Sequence, residues 1–288
     1  MNYRLLALNI DGTLLHSNGR LHQSARDAIY FVQQKGVYIT LITNRHFQSA
    51  KKLAKSLKLE SFLITSGGAF IANKQDEPIF DHKISEDKTF NLIQVLENFD
   101  CSIKIVNEKL TIGNKKKVSS NLLGKAVVQP QEPLFYPVQF VDSLADTLMD
   151  DPVSASKIDV VFSNEQALTE VYEIIKNAFE GIDLHSHERG TLRISSKGVN
   201  KAAGLRILAG KLGIPLSQTV AIGDSLDDLE MISIAGLGVA MGQAPFEVKH
   251  AADWLTRSND DNGLAYMIKE HFRMQQRSEF LNKLKIKR

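Results

Sequence analysis

The stretch Tyr3-Arg4-Leu5-Leu6-Ala7-Leu8-Asn9-Ile10-Asp11-Gly12-Thr13 decides how the rest of the chain is read. Its run from Tyr3 to Leu8 stops abruptly at a polar, glycine-containing segment, the pattern of a buried strand emptying into a turn. Just beyond it the period becomes helical: Ala25, Ala28, Ile29 and Val32 fall on one face, and Gly36 closes the segment. Val37 to Ile42 reads as a second buried strand, ended by Thr43-Asn44-Arg45. Ala50, Leu53, Ala54 and Leu57 repeat the helical spacing, and Phe62 to Thr65 supplies a third strand that ends at Ser66-Gly67-Gly68. The order β-α-β-α-β implies right-handed crossovers and a parallel sheet, hence an α/β fold.

The same rhythm returns near the C-terminus. Leu205, Leu208, Ala209 and Leu212 mark a helix, Thr219 to Ile222 a strand, Gly223-Asp224 the turn after it, and Leu237 to Ala240 a further short strand. Between these halves, longer helices (Lys88 to Phe99, Glu165 to Phe179) mix with alternating strands (Ser102 to Ile105, Lys157 to Phe162). The switch in periodicity predicts a discontinuous α/β domain of residues 1–83 and 188–288, interrupted by an α+β insertion over 84–187.

Composition bounds the function. With 288 residues, 43% apolar and 24% charged, and a net charge of +2, the chain has the make-up of an ordinary globular protein able to bury two cores. That charge nominates no nucleic acid partner, and the basic residues Lys115-Lys116-Lys117, Lys283, Lys285, Lys287 and Arg288 read as solvated loop and tail. No apolar stretch is long enough for a signal-peptide core or a membrane span. The single cysteine, Cys101, can form no intrachain disulfide, and a cytoplasmic location is expected.

In an open parallel sheet, ligands bind beyond the carboxyl ends of the strands. Here those ends carry Asn9 and Asp11, Thr43 and Arg45, and Gly223-Asp224 with Asp227 and Asp228. Lys201 opens the helix before the Asp224 strand, placing an ammonium near a helix N-terminus, where backbone donors also favour an anion. Each piece alone is commonplace: Asp-Gly is usually a turn, a strand-end threonine usually bonds local backbone, and a lysine is usually solvated. Their joint occurrence, each at a strand end or helix start, points instead to a site for Mg²⁺ and a phosphate group.

These motifs resemble those of the haloacid-dehalogenase-type (HAD) phosphatases, and within them the Cof family. The four HAD motifs correspond to Asn9-Ile10-Asp11-Gly12-Thr13, Thr43, Lys201 and Gly223-Asp224-Ser225-Leu226-Asp227-Asp228. Thr43-Asn44-Arg45, Ser66-Gly67-Gly68-Ala69, Val239-Ala240-Met241-Gly242-Gln243-Ala244 and Asn259-Asp260-Asp261-Asn262-Gly263-Leu264 are similar to further Cof segments, so the likeness spans nearly the whole chain. It implies a Rossmann-like core with an inserted C2-type α+β cap, acting on small phosphorylated metabolites through an aspartyl-phosphate. By position, Asn9 stands at the nucleophile and Asp11 at the general acid/base. Mg²⁺ would be held by Asn9, the Asp11 carbonyl and Asp224, with Asp228 behind them. Ile10, Thr43, Asn44, Lys201 and Asp227 would surround the phosphate.

Asn9 departs from the family aspartate. A neutral amide is a poor nucleophile, so the aspartyl-phosphate route is expected to fail, and Mg²⁺ to bind more weakly. Asn44 replaces a usual glycine, Gly67 and Gln243 usual asparagines, and Asp227 another, and five departures around one crevice read as natural divergence. Asn9 removes a negative charge while Asp227 adds one. Two functions follow as alternatives: a phosphatase by descent with impaired turnover, or a catalytically silent binding or regulatory protein. A phospho-receiver domain, which also uses Asp, Thr and Lys around Mg²⁺, is disfavoured by the chain's length and its insertion.

Overall fold

The computed structural model describes residues 2–108, 110–115, 138–186 and 190–277. In chain order its strands are β1 (Leu5–Asn9), β2 (Tyr38–Ile42), β3 (Leu63–Thr65), β4 (Phe70–Ala72), β5 (Pro78–Asp81), β6 (Cys101–Val106) and β7 (Thr111–Asn114). They continue with β8 (Val138–Val141), β9 (Lys157–Phe162), β10 (Ile182–His185), β11 (Thr191–Ser196), β12 (Thr219–Gly223), β13 (Leu237–Ala240) and β14 (Trp254–Leu255). Contacts divide the chain into two compact units, Met1–Phe80 with Asn200–Arg288, and Asp81–Val199.

In the first unit β1, β2 and β12 are buried at every position, so neither side chain period can face water. Leu6, Leu8, Ile39, Leu41, Val220 and Ile222 pack on one face with Ile29, Val32 and Phe272. Leu5, Ala7, Tyr38, Ile42 and Ala221 pack on the other with Leu205, Leu208 and Met231. Among the described residues the sheet runs β14-β13-β12-β1-β2-β3-β4-β5, parallel from β14 to β3, with β4 antiparallel to β3. Strand order reverses at β1, between β12 and β2, so the turns leaving these three strands open on one end of the sheet.

The second unit has a one-sided sheet, ordered β10-β11-β9-β6-β7-β8. Its pairs are antiparallel except β7 with β8. Alternate residues Ile103, Ile105, Ile158, Val160, Leu192 and Ile194 bury against Leu92, Ile93, Leu96, Val171 and Ile175 from helices Glu86–Leu96 and Glu165–Ala178. The intervening positions, Lys104, Asp159 and Arg193, meet in register on the opposite face.

The expected boundaries need correction. The insertion was placed at 84–187, but its compact unit extends over Asp81–Val199, because β11 is stitched to both β9 and β10 and cannot leave with the first unit. The alternation Leu192, Arg193, Ile194 was the sequence signal for that strand. Lys115 bonds Asp142, while Lys116, Lys117, Lys283, Lys285, Lys287 and Arg288 lie outside the described residues. No described helix is long and apolar enough to cross a membrane.

Candidate functional site

The turn after β1 is shaped by Gly12, whose positive φ of 69° suits glycine and whose missing Cβ leaves room for the Asp224 carboxylate. Asn9, at the last position of β1, is only 4% exposed, so each of its polar atoms needs a partner. Its Nδ2 donates to the Asp11 carbonyl at 2.8 Å and to Asp224 Oδ1 at 2.9 Å. Its Oδ1 accepts from Lys201 Nζ at 3.2 Å. Thr13 Oγ1 also donates to Asp224 Oδ1, at 2.9 Å.

Lys201 is the first residue of helix Lys201–Leu212, whose N-cap Asn200 accepts from Ala203 N at 2.7 Å. The lysine is buried, and its ammonium also bonds the fully buried Asp228 carboxylate, Nζ to Oδ1, at 2.6 Å. The other Asp228 oxygen accepts from the Asp224 and Ser225 backbone amides and from the Ser225 hydroxyl. Asp228 thus shapes the loop that carries Asp224 rather than facing the crevice. Burial pushes the Asp224 carboxyl up to about 6, the Asp228 charge adds to the rise, and Thr13, Asn9 and Lys201 oppose it.

The second strand end joins this network through Arg45, which the family motif includes but which was given no role from sequence. Its guanidinium forks onto both Asp11 oxygens, with Nε to Oδ2 at 2.8 Å, and its backbone amide donates to Thr43 Oγ1 at 3.1 Å. Asn44 Nδ2 donates to Asp227 Oδ2 at 2.5 Å, so two of the residues that depart from the family pattern partner each other. A third sits beside them: a Cβ on Gly67, whose φ is 69°, would lie 3.2 Å from Asn44 Oδ1. A fourth, Gln243, donates from Nε2 to the Gly12 carbonyl and accepts from Asn259 N at 3.2 Å. Asn9, Asp11, Lys201, Asp224 and Asp228 are therefore linked by direct hydrogen bonds, Thr43 joins through Arg45, and Asn44 and Asp227 bond each other. Ile10 contributes a fully buried apolar side chain, leaving only its backbone for a ligand.

In this geometry Asn9 turns its nitrogen, not its oxygen, toward the position where the family resemblance puts Mg²⁺. Asp224 Oδ1 and the Asp11 carbonyl converge on a nitrogen that donates to both. Reversing the carboxamide would offer an oxygen to a cation but turn its NH₂ against the Lys201 ammonium, donor against donor. In this arrangement Asn9, Asp11 and Asp224 do not fit a magnesium ion, which requires converging oxygens. Among the described residues there is also no other group of three or more His, Cys, Asp or Glu side chains suited to a metal.

Comparison with known proteins places these features in context. Residues 6–268 match the family model of the haloacid dehalogenase-like hydrolases. The chain is 56% identical, over the full length of both, to the stress response protein YhaX of Bacillus subtilis. It is 29% identical to the 5-amino-6-(5-phospho-D-ribitylamino)uracil phosphatase YcsE of the same organism, over 93% of this chain and 96% of that one. Among solved structures, a haloacid dehalogenase-like hydrolase from Bacteroides thetaiotaomicron superposes with a TM-score of 0.80 at 25% identity, covering 94% of this chain and all of the other.

Proposed function

We propose, for a chain that belongs to the haloacid dehalogenase-like hydrolase family, that it binds a small phosphorylated metabolite in the strand-end crevice and does not turn it over through an aspartyl-phosphate. The observation that carries this reading is the state of Asn9, whose amide is engaged on three sides by Lys201, Asp224 and the Asp11 carbonyl. An amide nitrogen has no available lone pair and the amide oxygen is a weak nucleophile, so neither atom attacks phosphorus. Asp11, at the acid/base position, has both carboxylate oxygens held by the Arg45 fork.

Anion recognition has groups that could serve it. An ammonium has three N–H donors, and Lys201 directs two of them at Asn9 and Asp228, leaving one for a phosphate oxygen. The Thr43 hydroxyl hydrogen and the backbone of Ile10 stand at the neighbouring strand ends. Asn44 and Asp227 would meet the more polar part of the ligand, and the inserted α+β unit would act as the cap that selects it. The stress-response name of the relative at 56% identity accords with a binding or regulatory role, and a single cysteine, which can form no intrachain disulfide, accords with a cytoplasmic location. HAD phosphatases generally use Mg²⁺; the arrangement at Asn9 routes no step here through it.

Phosphatase turnover is the second reading, favoured by relatives such as YcsE that are named as phosphatases. An assay with a chromogenic phosphate ester and Mg²⁺ separates the two. The chain is expected to run about 10⁴-fold below Asn9→Asp, and thermal-shift screening with phosphorylated metabolites should still find a stabilising ligand. Turnover by the unmodified chain at the Asn9→Asp rate, with Asn9 intact by mass spectrometry, would overturn the proposal.

A further inference from the structure

We infer that the Asn9 carboxamide is a built-in replacement for the divalent cation, so that this crevice is assembled without metal. The inference stands on the crevice itself and holds whether or not a ligand is turned over. Two oxygens that no cation bonds directly, the Asp11 carbonyl and Asp224 Oδ1, are brought together at the ends of β1 and β12, with the Lys201 charge acting on Asp224 only from a distance. Converging oxygens of this kind need a positive group between them. Asn9 supplies one by presenting both N–H bonds of Nδ2 to them, at 2.8 and 2.9 Å.

The opposite end of the same amide makes the arrangement directional. Lys201 donates to Asn9 Oδ1, while its other bond goes to Asp228. The ammonium therefore fixes which end of the carboxamide faces the carboxylate, and the carboxamide in turn leaves no oxygen for a cation. Thr13 adds a second donor to the same Asp224 oxygen, so both hydrogen bonds to Oδ1 come from neutral groups.

An aspartate at position 9 would break this arrangement. Its oxygen would lie against Asp224 Oδ1 and the Asp11 carbonyl with no hydrogen to share, beside a Lys201 already committed to Asp228. Three carboxylates would then crowd one lysine, a charge set that a divalent cation relieves. Asn9→Asp is thus expected to convert a metal-indifferent fold into a metal-requiring one.

The test uses the full chain, with Mg²⁺ or Mn²⁺ alone as the probe and stability, not activity, as the readout. The unmodified chain should melt within about 1 °C of the same temperature in chelator and in millimolar Mg²⁺, while Asn9→Asp should lose about 5 °C in chelator and regain it with Mg²⁺. Mn²⁺ binding followed by electron paramagnetic resonance should find no site in the unmodified chain, and this measurement stands alone if Asn9→Asp does not fold. A saturable Mg²⁺-dependent rise in the unmodified chain that Asp224→Asn abolishes, or one bound Mn²⁺ lost in that same variant, would overturn the inference.

Discussion

Two half-buried carboxylates, one in each unit, are treated in opposite ways. Asp159 lies in β9 of the inserted unit between Lys157, two residues along the same strand, and Arg193 across the register on β11. Burial alone would raise it, but these two cations and their hydrogen bonds hold it down to about 2. Asp224, at the end of β12, meets two neutral donors, and burial with the Asp228 charge lifts it to about 6. The inserted unit stabilises its carboxylate with charge. The crevice stabilises its own with amide and hydroxyl dipoles, which offset desolvation less completely. A crevice short of positive charge is where a cation would be expected in this family, and here Asn9 stands in that position.

The largest expected effect breaks the first half of this contrast. Asp159→Asn leaves Lys157 buried without a charged partner and should lower unfolding free energy by about 3 kcal/mol, measured by urea unfolding at neutral pH. Its pH dependence has a definite sign. The folded value of about 2 lies below the ordinary 3.8, so the stabilisation is present above pH 3.8 and is lost as pH falls toward 2. The unmodified chain should show this acid limb and Asp159→Asn should lack it. An unchanged limb in the variant would place the proton uptake elsewhere.

A smaller effect of opposite sign sharpens the second half. Asp224→Asn keeps an oxygen for Asn9 and Thr13 while removing a charge that burial opposes, so in chelator it should stabilise the chain by about 1 kcal/mol. If Asp224→Asn destabilised as strongly as Asp159→Asn, the two carboxylates would be alike after all.

The smallest effect concerns how the crevice came to use amides. Gly67→Asn restores the side chain of the family pattern but brings its Cβ to 3.2 Å from Asn44 Oδ1. The left-handed backbone there tolerates asparagine, so crowding is the main cost, about 0.5 kcal/mol. Asn44→Gly should relieve it, and a double-mutant cycle on melting temperature should report coupling of that size. Strictly additive effects would mean that the exchange of glycine and asparagine between these loops is accidental.

Much of this molecule was legible in one dimension. The continuous apolar runs of β1, β2 and β12 could only be strands buried on both faces, and the polar clusters after them could only face the open end of a parallel sheet. The HAD motifs fall on those same strand ends, with Asn9 as the residue that departs from them. Legibility failed where partners are distant in sequence. β11 is a strand because β9 and β10 flank it, and its signal of two alternating apolar residues is too short to place a domain boundary. Which end of the Asn9 amide faces Asp224 is decided by Lys201, 192 residues away, and the pairing of Asn44 with Asp227 spans 183. Residue type specifies what a side chain can donate or accept. Only the packed structure decides which of those bonds is made, because burial removes water as the alternative partner and forces each polar atom to take the neighbour the fold provides.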